Sequence, residues 1–288
     1  YLLRAAYEEL IILRRRKPIE AFARERQLDE RTRGKLRVVL DARAYADTAL
    51  GLKTGKSFTL FSPLDSDTLV LVLSAAYQDR LAFHRWWFPV VGNVPYKGYF
   101  DFAAARAAES TFVRDGYDTR LRPASAFSTL GWFNDPLLST TLRADSLTLA
   151  NTVIHELTHN TFFASGSAEF NESFANFVGA RGSAEFFRKR GAAGAVEEAE
   201  ARWSDEKVLA AFWRSLYRDV DSVFTAHPGD SARHTRLVLR DSVYREAKSR
   251  LVFRLAPQLR TVSPSGIERV RLDNAAVLSA RIYLTDVD

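Results

Sequence analysis

The run His155-Glu156-Leu157-Thr158-His159 carries the plainest chemical meaning in this sequence. Residues four apart on a helix share a face one turn apart, so both imidazoles can reach a single cation. Glu156 falls about 100° further round, where its carboxylate can take a proton from a water at that cation without binding the cation itself. Only 5 of the 288 residues are His, and a chance match to this pattern arises in roughly one sequence of such composition in two hundred. His84, His227 and His234 lack ligand spacing and read as structural or surface residues.

A site of this type needs a third protein ligand and an open position for water. The stretch Ser167 to Val178 has helical apolar spacing and carries two carboxylates, Glu169 and Glu172. Ala164-Ser165-Gly166 is a suitable stop for the first helix and Ser167 a suitable cap for the second, so the two can fold back as an antiparallel pair. That geometry brings Glu172 opposite the histidines. Glu169 shares the face and is the rival, as ligand, as a group behind the ligands, or as acceptor of a substrate amine. Asn176, four residues on, is placed to orient Glu172.

The elements around these helices follow from periodicity. Leu2, Leu3, Ala6, Leu10 and Leu13 repeat at helical spacing, Pro18 suits the first turn of a second helix, and Leu36, Val39, Leu40 and Ala44 mark a third. Short β-branched and aromatic runs follow, at Ser57 to Phe61, Thr68 to Leu73, Trp86 to Val91 and Val94 to Phe100, and predict a small, largely antiparallel sheet. Asp101 caps a helix to about Arg114, and Tyr117 to Leu121 returns as a strand. Pro123 to Thr141 reads as an ordered loop. From Asp145 onward the pattern is helical, with breaks around Gly166, Gly191, Pro228-Gly229 and Ser263 to Gly266. The expected class is α+β, mostly helical, as a single domain over residues 1–288: helical to 52, sheet plus helix over 53–122, loop and metal-site helices over 123–190, helical thereafter. Asn274 to Asp288 is apolar and helical yet ends without a cap, and is read as cut short.

Composition narrows the chemistry. Cys is 0, which removes thiolate metal sites and cysteine nucleophiles and leaves any metal to imidazole and carboxylate. The net charge of +6 raises nucleic acid as a partner. Arginine is interspersed with acidic residues and no aromatic-basic alternation offers a stacking platform, so nucleic-acid binding is not expected.

Asn171-Glu172-Ser173-Phe174-Ala175 resembles the Asn-Glu-Gly-Phe-Ala block of the gluzincin aminopeptidases, in which the Glu completes a zinc site begun by His-Glu-x-x-His. The separation from His159 to Glu172 is shorter than in thermolysin-like or alanyl-aminopeptidase-like enzymes, a departure that falls in the loop between the helices. A wider resemblance spans Tyr1 to Glu20, Trp86 to Phe100, Ser128 to Phe133, the histidine motif, Phe170 to Val178 and Asn274 to Leu278. It is to a bacterial family of zinc aminopeptidases, many of which carry cysteines near Trp87 and Asn93, where this chain departs.

The resemblance implies one Zn2+ held by His155, His159 and Glu172, Glu156 as general base, and a peptide substrate. It also implies a place outside the bacterial cytoplasm, with membrane tethering through a removed lipoprotein signal; the abrupt start at Tyr1 suits a mature chain. An endopeptidase, or a cell-envelope binding or scaffold protein of the same fold without turnover, are the alternatives. Tyr96, Tyr99 and Tyr283 are candidate donors to a transition-state oxyanion. Asp101, Asp118, Asp135 and Glu169 are candidates to bind a substrate α-amine.

Overall fold

The computed structural model describes residues 14–64, 70–88, 92–124, 136–165 and 167–284. The elements begin with β1 (Lys17–Pro18), α1 (Ile19–Ala23), α2 (Glu30–Thr48), β2 (Leu60–Ser62) and β3 (Val70–Tyr77). Next come β4 (Trp86–Phe88), β5 (Gly92–Val94), β6 (Lys97–Tyr99), α3 (Phe102–Arg114), β7 (Tyr117–Ala124) and β8 (Leu137–Leu138). The rest is helical: α4 (Ser146–Thr161), α5 (Ala168–Lys189), α6 (Ala193–Ala226), α7 (Arg233–Arg250), α8 (Pro264–Arg269) and α9 (Asn274–Leu284). The class is α+β and mostly helical. The expected first helix over Leu2 to Leu13 and the aromatic-rich run Ser128 to Phe133 lie outside the described residues.

Contacts group the chain into two compact units, Tyr1–Val70 with Pro123–Glu200 and Leu71–Arg122 with Ala201–Asp288. In the first, α2 presents Leu36, Val39, Ala42 and Ala46 to a core that α4 enters with Leu147, Ala150, Val153, Ile154 and Leu157. The α4 set recurs every three to four residues, the stripe of a helix with one face buried. Phe61 of β2 and Leu137 of β8 close this core, and Phe22 stacks on Phe61 with ring centroids 4.3 Å apart.

Among the described residues, the expected single small sheet is three separate ones. β2 pairs antiparallel with β1 and parallel with β8, β3 lies between β6 and β7, and β4 pairs antiparallel with β5. The run Val94 to Phe100 is split between β5 and β6 because Pro95 has no N–H to give a ladder. The strand expected from Ser57 starts only at Leu60, after Phe58, whose φ of 57° is left-handed and whose ring is buried in the core. β8 lies where a loop was expected; two residues are too few to show a period. Trp87 and Asn93 stand directly opposite in the β4–β5 register.

In the second unit, Phe212, Leu216 and Val220 of α6 pack with Tyr244 and Ala247 of α7, Ile267 of α8 and Val277 of α9. A buried polar network crosses this unit. Arg240 Nη1 donates to Asp118 Oδ2 at 3.1 Å and to the Gln78 carbonyl at 2.9 Å. The Asn274 backbone N–H donates to the same Asp118 oxygen at 2.9 Å, and the Asn274 amide to the Tyr77 carbonyl at 2.7 Å. The break expected around Ser263 to Gly266 is present at 259–263, and α8 starts at its end: the Ser263 hydroxyl accepts the Gly266 N–H and Pro264 sits where no N–H is needed.

Candidate metal centre

α4 begins at Asp145, whose carboxylate accepts the Thr148 N–H at 2.8 Å and the Thr148 hydroxyl at 2.9 Å. Such a cap satisfies donors that a helix start otherwise leaves orphaned. The far end is held by Thr161, whose hydroxyl accepts the Lys53 N–H at 2.8 Å, and by Asn160, whose amide donates to the Ser57 hydroxyl at 3.1 Å. His155 and His159 therefore sit on a helix pinned at both ends. Their row, continued back by Asn151, borders the buried stripe and is covered by α5.

α5 approaches closely because Gly179 faces that row. A methyl group there would lie 3.1 Å from the Asn151 carbonyl oxygen and 3.2 Å from His155 Cβ. Two turns nearer its start, α5 delivers Glu172. The His155 and His159 Nε2 atoms are 3.2 Å apart, Glu172 Oε2 lies 3.6 Å from His155 Nε2, and Glu172 Oε1 lies 3.6 Å from His159 Nε2. Ligand atoms held 2.0–2.2 Å from a tetrahedral cation are separated by about 3.3–3.6 Å. The three side chains thus have the spacing, and the nitrogen and oxygen donors, of a metal site with one position left for water. Among the described residues they form the one His/Asp/Glu cluster so arranged.

Protonation favours the same reading. Burial, then the neighbouring charge of His155, push the His159 imidazole below its usual pKa against the pull of Glu172. Burial pushes the Glu172 carboxyl up, but its hydrogen bond with His155 and the charges of both histidines outweigh this and hold it low. Neutral imidazole and ionised carboxylate are the forms that bind metal.

A family model described as "Putative aminopeptidase" matches residues 1–288. The chain belongs to that family. No curated protein and no solved structure matches it.

In this aminopeptidase-family chain Glu156 lies half-buried on α4 and outside the three-residue cluster, and Glu169 is exposed in the first turn of α5. Asn176 is half-buried on α5. Tyr96 and Tyr99 belong to the second unit, Tyr96 exposed before β6 and Tyr99 half-buried on it; Tyr283 lies in the last turn of α9. Of the amine-binding candidates, Asp101 is taken up as the cap of α3, accepting the Ala103 and Ala104 N–H groups, and Asp118 is buried against Arg240. Asp135 lies outside the described residues. Ser167 stands at the start of α5 but its side chain caps nothing, because its backbone is not in the extended conformation that aims a capping hydroxyl at the helix. Asn171 and Gly179 were not singled out by sequence reasoning, and neither was the exposed trio Phe162, Phe170 and Phe174, whose ring centroids lie 5.8–6.0 Å apart. Only the place of Asn171 directly before Glu172 hinted at a role.

Proposed function

We propose that the protein is a zinc-dependent aminopeptidase. The observation that carries this reading is the convergence of His155, His159 and Glu172 at metal-ligand spacing, on a chain whose whole length matches an aminopeptidase family. These three residues would hold the ion, and zinc is the metal best suited to a His2Glu set with one open position. When bound, it supplies Lewis acidity to a water and to the scissile carbonyl.

The rest is the work of the chain's own groups. Glu156 follows His155 directly on α4, so its carboxylate is carried by the same rigid turn as a ligand without entering the cluster. From there it takes the proton of the attacking water and returns it to the leaving amine. Asp145, Thr161 and Asn160 hold α4, and with it the spacing between base and ligands, against drift. The resemblance of the chain to exported enzymes supports a place outside the bacterial cytoplasm; among the described residues no helix is long and apolar enough to cross a membrane.

Hydrolysis of peptides with free and with acetylated N-termini, by wild type and Glu156→Gln, tests this. The reading expects cleavage of free peptides only, lost on chelation and restored by zinc, and a loss of about 10²-fold or more in Glu156→Gln. Equal cleavage of blocked peptides would make the protein an endopeptidase, and undiminished turnover by Glu156→Gln would refute the mechanism.

A further inference from the structure

Glu172 can meet the two histidines only if α5 stops at one rotation and one height against α4. A slip of a single residue moves a helix by about 1.5 Å and turns it by about 100°. Metal ligands must sit within about 0.2 Å of their proper distances. Something near the start of α5 must therefore set its register, and Ser167, the residue placed to cap it, makes no capping bond.

Asn171 is the residue built for this. It is 4% exposed, and its side chain pairs with both the N–H and the carbonyl of one residue, Ala164, as a backbone strand would. The Ala164 N–H donates to Asn171 Oδ1 at 2.8 Å, and Asn171 Nδ2 donates to the Ala164 carbonyl at 2.8 Å. The two bonds fix which end of the amide faces which atom, since an N–H can donate only to the oxygen. α4 ends at Thr161, so Ala164 is held three residues beyond it by a segment that forms no helix or strand. Asn171 is also the residue directly before Glu172. A clamp at that point controls both the rotation and the height of the carboxylate.

We propose that Asn171 is a positioning residue for the metal centre, fixing through Ala164 the register at which Glu172 meets His155 and His159. The inference rests on the metal reading above, and its test separates the two. Apo-protein is titrated with Co2+ and the visible d–d spectrum followed for wild type, Asn171→Ala and Val39→Ala. Val39 is fully buried on α2, so its truncation lowers stability without touching the clamp.

Asn171→Ala is expected to bind Co2+ about 10–100-fold more weakly, the loss typical when a group supporting a ligand is removed, with a changed d–d spectrum and an unaltered far-UV circular dichroism spectrum. Val39→Ala is expected to melt at a lower temperature and to keep the wild-type affinity and spectrum. Wild-type affinity in Asn171→Ala overturns the inference, as does an equal loss in Val39→Ala. Absence of Co2+ binding by the wild type overturns the metal reading, and the inference with it.

Discussion

Gly179→Ala places a methyl group between α4 and α5, the two helices that carry the candidate metal centre. The new carbon would lie 3.0 Å from Asn151 Oδ1, 3.1 Å from the Asn151 carbonyl oxygen and 3.2 Å from His155 Cβ. The Asn151 side chain can swing away; the other two atoms belong to the α4 backbone and to the root of the His155 side chain, and move only with the helix. Carbon pairs settle at about 3.5–4.0 Å, so α5 must retreat by a few tenths of an ångström at least, more than the roughly 0.2 Å that a metal site tolerates.

Overpacking of this kind costs about 1–3 kcal/mol, offset by about 1 kcal/mol from the better helix propensity of Ala. The net expectation is a loss of about 0–2 kcal/mol in stability together with a fall of about 10-fold or more in metal affinity. Gly34, in α2, is the control, because a methyl group there meets nothing within 4 Å; Gly34→Ala is expected to stabilise by about 0.5–1 kcal/mol. Urea denaturation and competitive metal titration of both variants give the numbers. If Gly179→Ala gains stability as Gly34→Ala does and keeps its metal affinity, the close packing of α5 on His155 is wrong.

Chelation should lower the melting temperature of the wild type, since an ion present at a thousand times its dissociation constant contributes about 4 kcal/mol, and Glu172→Gln should be nearly indifferent to chelator in the same melt. Asp118→Ala takes away the buried carboxylate that Arg240 and the Asn274 N–H share, while Arg240 keeps Asp241 at 2.8 Å; it should cost about 1–3 kcal/mol in chemical denaturation. Asp205 accepts the Arg260 N–H at 3.0 Å and the Thr261 N–H and hydroxyl at 2.7 Å; burial pushes its carboxyl up, but these bonds outweigh that and hold it below the usual range. Its contribution is therefore full above the unfolded carboxyl pKa and is lost as pH falls through the lower folded one. Asp205→Asn should be less stable than wild type at neutral pH, with the gap closing from about pH 4 downward. Burial among Trp86, Phe112 and Tyr117 depresses the His84 pKa, so its proton NMR titration should fall below that of an exposed histidine.

The three residues of the candidate metal centre were legible because what marks them is local. His155 and His159 declare their shared face by spacing alone, and the stretch bearing Glu172 shows the apolar period of a second helix before any fold is known. The cap of α3 by Asp101 was equally local, and the structure keeps it. What escaped depends on the path of the chain. Asn171 clamps Ala164 only because that residue, three past the end of α4, comes to lie against the first turn of α5. The worth of Gly179 lies in the absence of a side chain where another helix arrives. Asp118 looked available for an amine until Arg240 and Asn274, distant in sequence, proved to enclose it. β8 pairs with β2 across more than seventy residues through two positions, a signal too short for any periodicity to show.

If His155, His159 and Glu172 together bind one zinc ion, the zinc content per chain after exhaustive dialysis at neutral pH shows it. One equivalent in the wild type, with less than about a tenth retained by His159→Ala and by Glu172→Ala, is the result the geometry predicts. A wild type that holds no zinc, or variants that hold as much as the wild type, would contradict it.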